Sequence, residues 1–364
     1  MTQSALTIRA LRATAVEVPM NHVLGTSAAA VRAAPLLLID LETEEGIAGR
    51  SYLFCYLRGA APAMAAMVAE VERMAKGERA PPGELWEKLA KRFRLIGVQG
   101  IVRMAMAGFD VAYWDALARA AGKPLVEFLG GTVKPIRAYN SCGLGLMGLD
   151  ALAKETDELL EGGFRGVKLR LGYATLEEDL AAVRTVRARL PSGVSLMVDY
   201  NQALSVDEAL RRGRALDEHG LAWIEEPIRH DDYRGAARLA AALATPIQIG
   251  ENFSQPHALE EAIAAQACDL VMPDLERIGG VTGWLRASQI ALGANMKMSS
   301  HLFPEVSAHL LAVTPTADWL EYVDWAAPVL AQPIPIVDGQ ARMADRPGNG
   351  LEWNASAVER LRIA

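Results

Sequence analysis

Three carboxylic acids with regular spacing point most directly to chemistry in this sequence. Asp199, Glu225 and Glu251 each close a short apolar run, and 26 residues separate each from the next. That interval is the length of one strand and one helix, so it predicts carboxylates at the same ends of neighbouring parallel strands. Carboxylates gathered there repel one another unless a divalent cation lies between them, and oxygen ligands suit Mg²⁺, with Mn²⁺ as an alternative. Each acid alone could equally cap a helix or face solvent, but three in register favour a metal site.

Two cations precede these acids along the chain. Lys168 and Arg170 alternate with Val167, Leu169 and Leu171, so both cations lie on one side of the predicted strand. If the apolar side packs outward against helices, the cations point inward, where burial is costly without an anion. A bound anionic substrate and a purely structural salt bridge are both consistent with this pattern.

A second set of ionisable residues lies at the ends of the next three apolar runs. Asp274, His301 and Glu321 end the segments DLVMPD, MSSH and WLE, and the spacing places them on adjacent strands. An Asp beside a His fixes the imidazole tautomer and raises its basicity, so the pair predicts a general base. His309 lies inside a helical pattern and is interpreted as structural.

The elements that must position these side chains repeat beyond Gly131. Short apolar runs alternate with amphipathic helical segments, which predicts a (β/α)-type barrel. A doubly wound open sheet would produce the same local pattern, and only the shared placement of charges favours the barrel. The eight predicted strands are IRAYNSC, GVKLRLG, SLMVDYN, AWIEEP, PIQIGEN, DLVMPD, MKMSSHL and WLEYV.

The N-terminal part has a different pattern. Residues 7 to 54 read as a three-stranded antiparallel meander, and residues 61 to 129 follow a helical period. We therefore predict an α+β domain over residues 1–131, a barrel domain over 132–332, and a C-terminal segment, 333–364, that docks back on the first domain.

Composition excludes several classes of partner. The 364 residues carry a net charge of about −7, which offers no general attraction for nucleic acid or anionic membranes. No segment is long and apolar enough for a signal peptide or a membrane span. The three cysteines are far apart and match neither a disulfide framework nor a zinc site, so a reducing cytoplasm is expected.

The motifs PLLLIDL, MVDYNQ, WIEEP, GEN, MPD, IGGVTGW and MSSHLF run in order through almost the whole chain. With them the sequence resembles the enolase superfamily and, within it, the mandelate racemase group. The resemblance implies an α/β fold, namely a modified TIM (β/α)₇β barrel beneath an α+β N-terminal capping domain. It also implies a homo-oligomer, such as an octamer, acting on a small-molecule carboxylate.

The same resemblance implies roles for the residues already singled out. It makes the three spaced acids Mg²⁺ ligands, the His301–Asp274 pair one base, and Glu321 a protonated acid that stabilises an enolate. Lys168 and Ser141 are placed beside the substrate carboxylate. Asn201 is placed near the α-hydroxyl, although Asn201 and its neighbour Glu226 remain open as supporting groups or direct ligands.

Arg170 departs from the pattern of the group, which has a second lysine as the base on the opposite face. An arginine has a pKa above about 12, so keeping it neutral at pH 7 costs roughly 8 kcal/mol. A racemase needs bases on both faces of the α-carbon, whereas a dehydratase can use the His301 face alone. Arg170 could instead clamp a second anionic or hydroxyl group.

Positions that match the substrate pocket of the group are mostly apolar. Buried sugar hydroxyls would remain unpaired against such a wall at about 1 to 3 kcal/mol each, which favours small or apolar 2-hydroxy acids. The alternative is that these residues only pack the domain interface. The positions are Leu24, Val31, Tyr56, Leu95, Leu302 and Val323.

Three functions are consistent with these patterns. The first is a Mg²⁺-dependent racemase or epimerase of a 2-hydroxy acid, which the apolar pocket favours. The second is an acid or acid-sugar dehydratase that uses only the His301 face, which Arg170 favours. The third is a metal-dependent acid-binding protein with little activity.

Overall fold

The structure, a computed structural model, describes residues 5–27 and 29–363. The N-terminal domain contains the expected antiparallel meander, with strands β1 (Ile8–Gly25), β2 (Ala30–Thr43) and β3 (Ala48–Phe54) in that order. The first hairpin extends further than the residue pattern predicts, because β1 continues past Pro19 and β2 starts before Pro35. A register irregularity between Pro19 and Leu24 accommodates the extension.

The central strand β2 is buried on both faces. Leu36 and Leu38 pack into the core shared with the barrel, whereas Leu37, Ile39 and Leu41 pack into the core of the N-terminal domain. Side chains alternate along a strand, so this continuous apolar run serves two cores. The sheet is therefore a layer between the barrel and the N-terminal helices.

Four helices complete the N-terminal domain, and α2 begins at a proline as its sequence predicts. Helix α3 packs so closely on β3 that a Cβ added at Gly49 would lie 2.0 Å from the carbonyl oxygen of Ala112. The helices are α1 (Ala61–Ala75), α2 (Pro82–Phe93), α3 (Gly100–Ala120) and α4 (Leu125–Phe128).

Eight parallel strands form a closed barrel, which shows that the open-sheet alternative is wrong. The last strand pairs with the first, Leu320 opposite Ala138, and a bridge between Met298 and Ala317 joins the seventh strand to the segment that precedes the eighth. The strands are β4 (Ile136–Asn140), β5 (Gly166–Arg170), β6 (Ser195–Asp199), β7 (Ile224–Glu225), β8 (Ile247–Ile249), β9 (Leu270–Val271), β10 (Lys297–Met298) and β11 (Leu320–Tyr322).

Helices follow the first seven of these strands, and none directly follows the eighth, as a (β/α)₇β barrel requires. Among the described residues, no helix is both long and apolar enough to cross a membrane. The helices are α5 (Leu149–Leu159), α6 (Leu176–Arg189), α7 (Val206–Leu216), α8 (Tyr233–Ala242), α9 (Pro256–Ala264), α10 (Leu275–Ile278), α11 (Gly280–Gly293) and α12 (Pro304–Ala312).

The C-terminal segment contacts both parts of the molecule. Strands β12 (Ile336–Val337) and β13 (Gln340–Ala341) form a hairpin that pairs antiparallel with the start of β4, a contact that the residue pattern did not predict. Helix α13 (Ala355–Leu361) then lies against β1. Between them the Glu352 carboxylate forms ion pairs with Arg50 and Arg119 of the N-terminal domain.

Candidate active site

The three spaced acids meet at the carboxyl ends of β6, β7 and β8. Asp199 and Glu225 are the last residues of their strands, and Glu251 lies two residues beyond β8. One carboxylate oxygen from each lies within 4.8 Å of the other two. Oxygens on opposite sides of a Mg²⁺ are about 4.2 Å apart, so small movements would bring these ligands to bonding distance. The donor set therefore fits a hard divalent cation such as Mg²⁺.

Lys168 lies among these acids. Its buried ammonium is 2.6 Å from Glu225 Oε1, 2.8 Å from Glu321 Oε1 and 3.4 Å from Asp199 Oδ2. Burial alone would lower the pKa of Lys168, but the surrounding carboxylates outweigh burial and raise that pKa well above its usual value. The side chain is thus a permanent cation that joins the metal-site acids to Glu321.

Negative charge is incompletely neutralised around Glu225. Burial raises the pKa of Glu225 to about 8, and Asp199 and Glu251 add to that effect although Lys168 opposes it. The other oxygen of Glu225 accepts a hydrogen bond of 3.0 Å from the Trp223 indole, which fixes the carboxyl group. A divalent cation between the acids would supply the missing positive charge.

Asp274 holds His301 in a defined orientation. Asp274 Oδ2 is 2.7 Å from His301 Nδ1, and Asp274 Oδ1 accepts the backbone N–H groups of Glu276 and Arg277 at the start of α10. Because Asp274 is both a helix cap and a histidine partner, its carboxylate has little freedom to rotate. The imidazole presents Nε2 to the carboxylates, 3.4 Å from Glu251 Oε2.

The pKa values of His301 and Glu321 shift in opposite directions. Burial alone would lower the pKa of His301, but Glu251, Glu321 and Asp274 raise it to about 9. Burial would raise the pKa of Glu321, but Lys168 and His301 hold it well below its usual value. The Lys168 ammonium lies 2.8 Å from Glu321 Oε1, and the role of Glu321 as a protonated acid that stabilises an enolate stays a prediction.

Arg170 is buried against backbone carbonyls. Its Nη1 donates to the carbonyl oxygens of Ser141 and Gly143, at 3.0 and 2.7 Å, and its Nη2 donates to Ser141 Oγ at 2.8 Å. Within the described chain, no carboxylate forms an ion pair with Arg170. The guanidinium is therefore fixed at the end of β4, and Ser141 can still donate its hydroxyl proton to a ligand.

Asn201 and Glu226 lie in strained turns beside the metal-site acids. Both have positive φ, 45° and 33°. Asn201 donates from its backbone and side-chain amides to the two oxygens of Asp199, at 2.8 and 3.0 Å. Glu226 Oε2 accepts 2.7 Å from Asn252 Nδ2. These contacts orient the acids, and Asn201 Oδ1 has no partner within the described chain.

The predicted pocket residues are only partly brought together. Leu24 and Val31 face each other across the first hairpin, and Leu302 and Val323 border a cavity of only about 10 Å³. Leu95 lies in the turn between α2 and α3 and is 98% exposed, so it does not line the site within this chain. That turn has no periodic pattern from which its position could be predicted.

The residue pattern missed a buried acid next to the His301–Asp274 pair. Glu276 Oε2 accepts the backbone N–H of Phe54 at 3.0 Å, which links the N-terminal domain to the loop that holds Asp274. Burial and the charge of Asp274 raise the pKa of Glu276 well above its usual value. The sequence signal that could have identified Glu276 is its position two residues after Asp274, which ends a predicted strand.

Comparison with known proteins matches both parts of the chain. Residues 9–130 match the mandelate racemase / muconate lactonizing enzyme N-terminal domain, and residues 151–357 match the enolase C-terminal domain-like family. A structure described as an enolase from the alpha proteobacterium BAL199, with bound magnesium, is 42% identical, has a TM-score of 0.96, and aligns over 98% of this chain and 100% of its own.

A structure described as an enolase from Bradyrhizobium, complexed with magnesium and mandelic acid, is 41% identical, with a TM-score of 0.95 and full coverage of both chains. The L-talarate/galactarate dehydratase of Salmonella typhimurium is 34% identical over 275 residues, which are 75% of this chain and 69% of that protein.

Proposed function

This chain belongs to the mandelate racemase/muconate lactonizing enzyme family of the enolase superfamily, and we propose that it removes the α-proton of a hydroxy carboxylate through His301. The observation that carries this proposal is the 2.7 Å contact of Asp274 with His301 Nδ1, which leaves Nε2 facing the metal-site acids. The chain is a Mg²⁺-dependent enzyme of this superfamily, so the third alternative, a metal-dependent acid-binding protein with little activity, is not pursued.

Charge stabilisation is what this reaction needs most, because a proton next to a carboxylate is only weakly acidic. Mg²⁺, held by Asp199, Glu225 and Glu251, supplies positive charge beside the substrate carboxylate when it is bound. The Lys168 ammonium and the Ser141 hydroxyl donate hydrogen bonds to the same carboxylate. Preorganised donors of this kind stabilise the enolate more than they stabilise the ground state.

Proton transfer requires His301 to be neutral before the reaction, and a divalent cation bound by Glu251 would offset the carboxylate charge that raises the pKa of His301. His301 Nε2 takes the α-proton, and the electron pair of the C–H bond moves into the enolate. Asp274 then stabilises the imidazolium through its Nδ1 hydrogen bond. Glu321 Oε1 lies 2.8 Å from the Lys168 ammonium, so Glu321 also keeps Lys168 in place.

Dehydration is the outcome that the geometry supports best. The enolate expels the β-hydroxyl, the His301 imidazolium returns the proton to it, and water leaves; the resulting enol becomes a 2-keto acid. All of these steps use one face, which agrees with an Arg170 that is held by carbonyl groups and is a poor base. The similarity to a talarate/galactarate dehydratase supports the same outcome.

Racemisation of a small or apolar 2-hydroxy acid is the second candidate. The Bradyrhizobium structure complexed with mandelic acid favours it. It requires a proton donor opposite His301, and Arg170 is the residue at the matching position. The two candidates differ in their products, so they can be separated in one experiment.

The experiment incubates the Mg²⁺-loaded enzyme with aldonates, aldarates and aromatic 2-hydroxy acids in D₂O, followed by NMR. We expect loss of water to a 2-keto acid, or α-deuteration with retained configuration, and a loss of at least 10²-fold in His301→Asn. His257→Asn is the matched control, because His257 is exposed and pairs only with helix acids. Inversion of configuration would select the racemase, and exchange that survives in His301→Asn would overturn the assignment of the base.

A further inference from the structure

Two side chains that the sequence analysis did not single out lie between the metal-site acids and the loop that carries Asp274. Asn252 follows Glu251 directly, beyond the end of β8, and Arg277 belongs to α10, which Asp274 caps. Both side chains are half-buried. Neither takes part in the proton transfer proposed above, so their contacts need a separate explanation.

Asn252 contacts two acids through its amide nitrogen. Nδ2 donates to Glu226 Oε2 at 2.7 Å and to Glu251 Oε1 at 3.3 Å. The second oxygen of Glu251, Oε2, lies 3.4 Å from His301 Nε2. A carboxylate that is held by a neutral amide keeps its negative charge, which a Mg²⁺ ligand needs. Asn252 can therefore orient Glu251 without competing with the metal ion.

Arg277 holds the opposite end of that amide. Its Nη1 donates to Asn252 Oδ1 and lies 3.5 Å from the carbonyl oxygen of Glu251. Its guanidinium lies 4.6 Å from the centre of the Tyr56 ring, which belongs to the N-terminal domain. Its backbone N–H donates to Asp274 Oδ1 at 3.0 Å. One residue thus connects the metal-site loop, the partner of the proposed base and the N-terminal domain.

The amide of Asn252 keeps the guanidinium and the carboxylate apart. A guanidinium in direct contact with Glu251 would form an ion pair and compete with Mg²⁺ for the same oxygens. Within the described chain, Arg277 forms no ion pair with a carboxylate. Instead, Asn252 accepts a hydrogen bond from the cation and donates hydrogen bonds to the acids. Arg277 can therefore fix the orientation of Glu251 through the amide without neutralising it.

We propose that Arg277 is a positioning residue that acts through Asn252 on Glu251, and that the two residues together set the affinity of the site for Mg²⁺. With Arg277 in place, the amide has one favourable orientation, in which its donor faces the acids and its acceptor faces the cation. Removing a partner that orients a metal ligand typically weakens metal binding by about tenfold to a hundredfold. The inference rests on the proposed function for its effect on rate, but Mg²⁺ binding is measured without a substrate.

A double-mutant cycle on the whole chain tests the proposal, with Mg²⁺ alone as the titrant in calorimetry. We expect Arg277→Met and Asn252→Leu each to raise the Mg²⁺ Kd by about tenfold to a hundredfold. Because Arg277 acts through Asn252, the double variant should lose no more affinity than Asn252→Leu alone, whereas independent structural losses would add. If Arg277→Met does not fold, Arg277→Gln, a shorter polar replacement, takes its place in the cycle.

Arg286→Met is the matched control for the loss of an arginine that joins the two domains. Arg286 pairs with Glu87 of the N-terminal domain, and both side chains are exposed. We expect its Mg²⁺ Kd to stay within about twofold of wild type, as expected of an exposed ion pair. Circular dichroism in the presence of a chelator shows which variants are folded before the titrations.

Kinetics provides a second measurement. At saturating Mg²⁺ we expect the KM of Arg277→Met for the acid to equal that of wild type, and a raised KM would contradict the proposal by making Arg277 a substrate-binding residue. A Mg²⁺ Kd in Arg277→Met equal to that of wild type, or losses that add in the double variant, would overturn the inference and leave the proposed function intact. If the Kd values follow the expected pattern and no acid reacts, the inference holds and only the proposed function fails.

Discussion

In the proposed reaction, the number of substrate faces that can be deprotonated depends on two residues, His301 and Arg170. The placement of the strand-end acids could be predicted because strand alternation and the spacing of one strand and one helix fix where they project. The partners of Arg170 could not be predicted in this way. They are carbonyl oxygens of the loop after β4, which carry no residue-specific signal. The position of Leu95 was unpredictable for a similar reason, since an aperiodic turn sets it.

Arg170→Lys tests whether the second face is silent because of basicity. A lysine crowded by cations can lose its proton near neutral pH, whereas a guanidinium cannot. We expect the variant to gain α-deuteration with inversion that the wild type lacks, at the cost of some stability because the Ser141 and Gly143 carbonyls lose donors. Polarimetry measures the inversion and NMR in D₂O measures the α-deuteration. Arg170→Met is the control that lacks a base. Inversion in the wild type equal to that in the variant would refute the pKa argument.

Asp274→Asn tests whether the carboxylate sets the tautomer of His301. An amide can still cap α10 but cannot stabilise an imidazolium in the same way, so we expect kcat to fall by about 10²- to 10⁴-fold with little change in KM. Asp232→Asn is the matched control, because Asp232 caps α8 away from the site. A rate within threefold of wild type in Asp274→Asn would show that His301 does not depend on this partner.

At the level of elements, the strands were predictable and several connections between them were not. All eight barrel strands lie within the apolar runs that predict them, and all but the first of these runs close in a charged residue or a histidine. The β12–β13 hairpin is too short for a periodic pattern, and its partner β4 is about 200 residues earlier in the chain. The contacts between the N-terminal domain and the barrel also depend on single polar residues inside apolar helices, such as Asp110 in α3.

Asp110 makes one of these contacts pH-dependent. It is buried and accepts hydrogen bonds from the backbone and hydroxyl groups of Thr282 in α11, and burial raises its pKa to about 7. A raised folded-state pKa means that the stabilising contribution is complete below the unfolded pKa of about 4 and is lost as pH rises through 7. The upper limit of that loss is about 4 kcal/mol, from three pKa units at 1.36 kcal/mol each.

We expect the wild type to lose stability relative to Asp110→Asn as pH rises from 5 to 8, because the asparagine does not ionise. Urea unfolding at both pH values measures the difference in the free energy of unfolding. Asp207→Asn is the control, since Asp207 is exposed and pairs only with Arg238. A difference between Asp110→Asn and wild type that is independent of pH would show that Asp110 is ionised throughout this range.

At the scale of the whole molecule, the site depends on long-range assembly. Its acids come from three strands and its proposed base from a fourth. The closed barrel brings the strand ends together, and β2 serves as a layer between the two cores. For this reason the sequence pattern was sufficient to predict the rim of strand ends but not the interface above it, where Glu276 accepts the backbone N–H of Phe54.

This assembly predicts that Mg²⁺ stabilises the folded molecule as a whole. The unfolded chain has no preformed group of three acids, so binding favours the native state by about 2.7 kcal/mol at a Mg²⁺ concentration of 100 times Kd. We expect the melting temperature to rise by a few degrees with Mg²⁺ and to fall again with a chelator. Glu251→Gln should lose most of this response. Glu251 is the better position to change, because Glu225 also holds Lys168 and Trp223 inside the barrel. Glu261→Gln, at an exposed position of α9, controls for nonspecific ion effects. If Glu251→Gln kept the full Mg²⁺-dependent rise, the ion would bind elsewhere and the proposed reaction would lose its source of charge.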